Sequence, residues 1–134
     1  VLDYLDEAKR LGLKLAVASN SDRQWVLDLL THQGIAQYFD CLLCREEGLR
    51  PKPHPELYQR TLAALELQSE EAIALEDSTN GISAAKAAGI FCVAVPTVLS
   101  GQLPLDHADM RLTSLQEVPL ATLLASVHAR KGLR

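Results

Sequence analysis

The sequence predicts an α/β fold in which a parallel sheet is flanked by helices. Short apolar segments suited to buried strands alternate along the chain with segments of helical periodicity, and this alternation is typical of parallel sheets. The 134 residues suffice for one domain, and a composition of 48% hydrophobic and 22% charged residues is ordinary for a globular protein. Because no repeat, low-complexity segment or linker interrupts the alternation, residues 1–134 are interpreted as belonging to one domain.

The first half of the chain is predicted to run helix, strand, helix, strand. Residues 1–11 place apolar side chains on one face at helical spacing. The mostly apolar segment 13–19 is predicted to be a strand buried on both faces. Ser21 is expected to cap the second helix, with Gln24 as its capping-box partner. A short strand is expected near residues 41–44.

The second half of the chain continues the alternation. Pro55 stands where the first residue of a third helix is expected, after a loop rich in proline and charge. Residues 72–76 are predicted to be the third strand, residues 79–88 a helix, and residues 91–95 the fourth strand. An apolar stripe at helical spacing over residues 117–131 predicts a final helix.

The charge and the cysteines narrow the classes of function. The 13 basic and 17 acidic residues give a net charge of -4 without a basic block, so no nucleic-acid partner is expected. The apolar runs are too short to cross a bilayer and the first residues are unlike a signal peptide, so a cytoplasmic location without membrane contact is expected. Cys41 and Cys44 could be half a zinc site or a redox pair. Without a second Cys/His pair they are interpreted as apolar residues of a buried strand.

Polar side chains follow three of the predicted strands. Ser19 and Asn20 lie at the end of the first strand, and Lys52 lies beyond the second. Glu76 and Asp77 end the third strand. Because the carboxyl ends of parallel strands meet at one edge of a sheet, these five side chains are expected to converge on one crevice.

The adjacent acids Glu76 and Asp77 suit a hard cation. Mg²⁺ often takes one or two carboxylates and completes its shell with water and substrate phosphate. The simpler alternative is that both acids cap the following helix, whose dipole favours negative charge. A lysine and a hydroxyl cluster at the same edge favour the metal site over the cap.

The residues Ser19, Asn20 and Lys52 are suited to binding an anion. Ser19 and Asn20 offer a hydroxyl, an amide and a helix N-terminus. Lys52 stands between Pro51 and Pro53, and the residue before a proline is kept out of helical geometry, so the lysine is held in an extended loop. Taken separately, a helix cap and a solvated lysine would explain these residues, but their expected convergence favours a phosphate site.

Three segments together resemble the haloacid dehalogenase superfamily of hydrolases, in particular its phosphatase and β-phosphoglucomutase-like branch. They are VASNS (17–21), RPKPHPELY (50–58) and LEDSTNGISAAKAAGI (75–90), and their order and spacing also match. The resemblance covers nearly the whole chain. It implies a Rossmann-like core and phosphoryl transfer through an aspartyl-phosphate.

The resemblance also implies roles for most of the site residues. Ser19 would hydrogen-bond the transferring phosphoryl group. Asn20 is also assigned to substrate binding, but from its amide and its place at the end of the first strand and not from the resemblance. Lys52 would be catalytic as well as substrate-binding, because it would neutralise charge between the nucleophile and the phosphate. Glu76 and Asp77 would hold Mg²⁺, with Asp77 the firmer ligand. The Lys52–Pro53 bond is expected to be cis.

The sequence departs from this family at one motif. The family's nucleophile and its general acid/base form a D-x-D, and no D-x-D occurs in these residues. The resemblance therefore implies that residues 1–134 are the C-terminal portion of the core domain, and that the nucleophile strand and the cap domain lie outside this chain. In the family that strand lies between those ending at Ser19 and Glu76, so two inner strand edges are expected to be unpaired, and the missing N-terminal segment is an expected partner.

The predicted function is a Mg²⁺-dependent phosphatase acting on a small phosphorylated metabolite, such as a sugar phosphate, in a full-length protein. A phosphomutase of the same fold is an alternative. Dehalogenation is disfavoured, because the similar dehalogenases lack an acidic pair at this position. A non-catalytic fragment or interaction module is the alternative from another class, and the 134-residue chain alone is expected to be inactive.

Overall fold

Helices and strands alternate along the chain. The structure is a computed structural model that describes residues 1–46, 48–97 and 104–132. The helices are α1 (Leu2–Arg10), α2 (Arg23–His32), α3 (Glu56–Leu65), α4 (Thr79–Ala87) and α5 (Leu120–Gly132). The strands are β1 (Ala16–Asp22), β2 (Cys41–Arg45), β3 (Ile73–Glu76), β4 (Phe91–Ala94) and β5 (Met110–Arg111).

The strands form two parallel sheets, which confirms the predicted α/β class. One sheet has the order β1-β2 and the other the order β3-β4-β5, with every pair parallel. β1 and β3 do not pair with each other, as expected for two inner edges that lack a strand between them. The sequence did not predict β5, because two residues are too few to show a periodicity.

The core fills both faces of the larger sheet. Along β4, Phe91 and Val93 pack with α1 and α5, whereas Cys92 and Ala94 pack with α4 and with Tyr58 of α3. This alternation follows the two-residue period of a strand. In the smaller sheet, α2 packs on β1 and β2. The buried side chains of Val26 and Leu30 from α2 meet the buried Cys44 of β2.

The start of α2 differs from the prediction. β1 runs to Asp22 instead of ending at residue 19, so Ser21 still has strand geometry. Asp22 is the cap, and its side chain accepts a hydrogen bond of 3.2 Å from the Trp25 N–H. The predicted capping box of Ser21 and Gln24 is therefore wrong, and the Gln24 side chain instead donates to Asp28.

Two smaller predictions can be compared with the structure. Pro55 lies at the N-cap of α3, one residue before the first helical position that it was expected to occupy. Cys41 and Cys44 lie in β2 as free thiols, as the strand interpretation predicts, but only Cys44 is buried and Cys41 is partly exposed. Within the described residues, no helix has both the length and the apolar character needed to cross a membrane.

Candidate active site

A cavity of about 1090 Å³ is lined by the unpaired edges of β1 and β3. All five predicted site residues line it: Ser19, Asn20, Lys52, Glu76 and Asp77. The predicted convergence of these residues at one place is confirmed. The apolar side chains of Leu13 and Leu75 also line the cavity, and they remain 39% and 41% exposed. The cavity therefore has a polar end at the strand termini and an apolar wall.

Lys52 connects the two sheets at the polar end of the cavity. Its ammonium donates to the Ala18 carbonyl of β1 at 2.8 Å and to Glu76 Oε2 of β3 at 2.6 Å. The side chains of Lys52 and Glu76 are only 9% and 8% exposed. A buried ion pair repays the cost of desolvating its two charges only if its geometry is good and further hydrogen bonds satisfy both groups. The Lys52–Pro53 bond is cis, as expected.

The backbone of Lys52 is held by Asn20. The Asn20 side-chain oxygen accepts from the Lys52 N–H at 2.8 Å, and the side-chain nitrogen donates to the Lys52 carbonyl at 3.4 Å. The side chain of Asn20 therefore fixes the loop that presents the lysine. Its predicted contact with substrate stays a prediction.

The hydroxyl hydrogen of Ser19 is not used in the hydrogen bond that Ser19 forms with Ser21. Its hydroxyl oxygen accepts from the Ser21 N–H at 3.1 Å. This bond uses a lone pair and not the hydroxyl hydrogen, which can still donate to an anion in the cavity. The arrangement is compatible with the predicted phosphoryl contact, which also stays a prediction.

Tyr58 of α3 is a residue of this site that was not among the predicted site residues. Its hydroxyl donates to Glu76 Oε2, and its ring centroid lies 4.9 Å from the Lys52 ammonium. Burial, followed by the negative charge of Glu76, raises the pKa of Tyr58. A signal was present in the sequence, since a buried tyrosine hydroxyl normally requires a polar partner.

Gly81 allows the Glu76 carboxylate to lie against the first turn of α4. A Cβ at position 81 would be 1.9 Å from Glu76 Oε1. The cap of α4 is Ser78, whose hydroxyl accepts from the Gly81 N–H at 3.0 Å. The prediction that Glu76 and Asp77 themselves cap this helix is therefore wrong, although the Glu76 carboxylate does lie at its first turn, where the helix dipole favours negative charge.

Glu76 and Asp77 fit a Mg²⁺ site that takes further ligands from elsewhere better than a site that the two acids complete by themselves. Asp77 is exposed, whereas Glu76 Oε2 already accepts from Lys52 and Tyr58. Across the part of the chain that the structure describes, no three His, Cys, Asp or Glu side chains are grouped so that they could hold a metal. Oxygen ligands of this type suit Mg²⁺, which accepts a few carboxylates together with water and phosphate.

Comparisons with known proteins show which family and which relatives this chain is similar to. A sequence model described as "Haloacid dehalogenase-like hydrolase" matches residues 1–95. The YhcW protein of Bacillus subtilis (strain 168) is 40% identical over 95% of this chain and 58% of its own length. Hexitol phosphatase B of Escherichia coli (strain K12) is 35% identical over 87% of this chain and 53% of its own length.

A solved structure shares the fold. The crystal structure of CbbY from Rhodobacter sphaeroides in complex with phosphate has a TM-score of 0.85 and 36% identity. The match covers 91% of this chain and 56% of that one. The chain thus spans little more than half the length of each of these relatives.

Proposed function

The chain belongs to the haloacid dehalogenase-like hydrolases, and from this premise we propose that it forms the phosphate- and metal-binding part of a Mg²⁺-dependent phosphatase. The observation that carries the proposal is the position of Lys52. Its ammonium is buried between two sheets, at the end of a cavity that Ser19 and Asp77 also line. A fixed positive charge in the same cavity as a hydroxyl donor and an exposed carboxylate suits phosphoryl transfer, which depends on positioning and electrostatic stabilisation.

Within this site the chain's own residues bind and orient the phosphoryl group. Ser19 donates its hydroxyl hydrogen to one phosphoryl oxygen. Lys52 supplies a positive charge at a fixed place, because its backbone is held by Asn20 and its ammonium by Ala18 and Glu76. Charge-assisted hydrogen bonds of this kind are about twice as strong as neutral ones.

Asp77 and Glu76 would hold the Mg²⁺ ion. Asp77 is the exposed carboxylate of the pair, and so it would be the principal ligand. When bound, the ion neutralises negative charge on the phosphoryl oxygens and helps to orient them.

The nucleophile would come from a strand inserted between β1 and β3. No D-x-D occurs in these 134 residues. Strand edges without partners are unfavourable, and the exposed Leu13 and Leu75 lie on the cavity wall between the two sheets. A strand of the natural full-length protein would pair with both edges, cover these leucines and place a carboxylate beside Lys52.

The proposed substrate is a small phosphorylated metabolite, with sugar phosphates foremost. The similarity to a hexitol phosphatase and to a protein solved with phosphate supports this substrate class. The test is hydrolysis by the full-length protein of a panel of sugar phosphates and other phosphate monoesters, with Mg²⁺ and with a chelator. We expect release of phosphate that requires Mg²⁺. A full-length protein that hydrolyses no monoester on the panel would favour the non-catalytic alternative.

A further inference from the structure

Tyr58 contacts both partners of the buried ion pair. Its hydroxyl donates to Glu76 Oε2, the same oxygen that lies 2.6 Å from the Lys52 ammonium. Its ring lies beneath that ammonium at a centroid distance of 4.9 Å. The tyrosine comes from α3, and only 8% of it is exposed. Helix α3 thus also contacts the Lys52–Glu76 ion pair that connects the two sheets.

We infer that Tyr58 is a positioning residue, whose hydroxyl fixes the Glu76 carboxylate and thereby fixes the place of the Lys52 ammonium. A lysine alone is a poor device for this purpose, since its ammonium is a rotating point charge on a flexible stem. Because Gly81 has no Cβ, Glu76 Oε1 has room beside α4. The tyrosine hydroxyl supplies a second, directional bond to the carboxylate.

The chemistry of the phenol suits this task. The phenolic O–H of a tyrosine is a hydrogen-bond donor at neutral pH, and here it donates to the Glu76 carboxylate. A neutral donor stabilises the glutamate carboxylate, whereas a second cation there would compete with Lys52 for it. The face of the aromatic ring also attracts the ammonium.

The kinetic consequence of this arrangement rests on the proposed function. If Lys52 neutralises charge on the phosphoryl group, a small displacement of its ammonium weakens catalysis disproportionately. The positioning itself does not depend on the reaction, so it can be measured without turnover.

The direct test is the reactivity of Lys52 toward acetic anhydride, measured by mass spectrometry on the folded full-length protein. Tyr58→Phe removes the hydroxyl and keeps the ring. Tyr38→Phe is the matched control, because the Tyr38 hydroxyl also donates to a carboxylate, that of Asp6, but at the surface. We expect acetylation of Lys52 to rise about tenfold in Tyr58→Phe, the factor expected for losing a hydrogen bond to a charged group.

The other lysines serve as internal standards in the same spectra. Lys86, which is paired with Asp109, should keep its wild-type rate in both variants. Glu76→Gln should expose Lys52 as well, and adding Tyr58→Phe to it should change little, because the tyrosine acts through the glutamate. An unchanged Lys52 rate in Tyr58→Phe, or a rise shared by all lysines, would overturn the inference.

A kinetic measurement separates this inference from the proposed function. Full-length Tyr58→Phe should lose about tenfold in kcat/KM for a phosphate monoester, and should lose almost nothing further in a Lys52→Met background. Equal losses in both backgrounds, or none in either, would contradict a role through Lys52. If the wild-type protein hydrolyses no monoester, the proposed function fails, while the acetylation result still decides the positioning role.

Discussion

The Lys52 ammonium lies 2.6 Å from Glu76 Oε2, and the side chains of the two residues are 9% and 8% exposed. The lysine comes from the loop before α3, and its ammonium bonds the Ala18 carbonyl of β1 as well as Glu76 at the end of β3, so it connects the two sheets. Removing one partner leaves an unpaired buried charge, which typically costs about 3–5 kcal/mol of folding free energy. Tests of function at this pair must therefore separate a loss of charge from a loss of structure.

The first prediction concerns the charge of Lys52. In the full-length protein, Lys52→Met should lower kcat/KM for a phosphate monoester by about 100-fold or more, the usual effect of losing one electrostatic contact to the transition state. Lys52→Met combined with Glu76→Gln should recover part of the lost stability, because neither charge is then buried alone, but no activity. The measurements are steady-state kinetics and urea unfolding.

A matched control for this prediction is Lys86→Met. Lys86 forms an ion pair with Asp109 at 2.6 Å, outside the five-residue site. This variant should keep near-normal kcat/KM. Recovery of activity in the Lys52→Met, Glu76→Gln double variant would show that the lysine charge is not needed for turnover.

The second prediction concerns the metal. Asp77→Asn should weaken Mg²⁺ binding by the full-length protein more than Glu76→Gln does, because Asp77 is exposed whereas Glu76 already accepts from Lys52 and Tyr58. The measurement is a calorimetric Mg²⁺ titration without substrate. Asp28→Asn, an exposed change on α2, is the control and should leave the affinity unaltered. Wild-type affinity in Asp77→Asn would exclude this residue as a ligand.

The third prediction concerns Gly81. Replacing a helical glycine by alanine usually stabilises a helix by about 1 kcal/mol. Gly81→Ala should instead destabilise the protein, because the new Cβ would be 1.9 Å from Glu76 Oε1 and would displace the carboxylate. Thermal unfolding checks the sign, and Asn80→Ala, an exposed change in the same helical turn, is the control. A stabilised Gly81→Ala variant would mean that Glu76 does not lie against α4.

The fourth prediction concerns alkaline pH. Burial, followed by the charge of Glu76, raises the pKa of Cys92 from 9.0 to about 12. The unfolded chain therefore releases this proton first, so the contribution of Cys92 to stability is complete below pH 9 and is lost as the pH rises toward 12. The expected slope from this thiol is about 1.4 kcal/mol per pH unit.

Urea unfolding at pH 8 and at pH 10.5 tests this pH dependence. The wild-type protein should lose more free energy of unfolding between the two values than Cys92→Ala, which lacks the thiol. For each protein the comparison uses the difference in free energy of unfolding between the two pH values. The destabilisation caused by the cavity in Cys92→Ala is the same at both values and therefore cancels. Equal losses in the two proteins would show that Cys92 does not stay protonated in the folded state.

The sequence predicted the features that depend on repeated patterns. The alternation of apolar strands and periodic helices was enough to predict the α/β class, and the rule that parallel strands end at one edge was enough to bring Ser19, Lys52 and Asp77 to one cavity. Both rules use many residues at once, so an error of a few positions, such as the shift of β1 to Ala16–Asp22, does not change the result.

The features that depend on a single side chain were harder to predict. Ser21 and Asp22 are both good helix caps, and only the end of β1 decides between them in favour of Asp22. Tyr58 occupies a helical stripe position where an apolar residue would also fit, so its hydroxyl bond to Glu76 depends on a tertiary contact. The closeness of Gly81 to the Glu76 carboxylate likewise depends on a tertiary contact.

The claim that this site works only with a nucleophile from outside the chain is tested most directly by one comparison. The purified 134-residue chain and the natural full-length protein are assayed side by side with Mg²⁺ and an aryl phosphate. We predict turnover by the full-length protein and none by the chain, because the chain has Lys52, Ser19 and Asp77 but no D-x-D. Turnover by the isolated chain that survives purification and disappears in Asp77→Ala would contradict this claim.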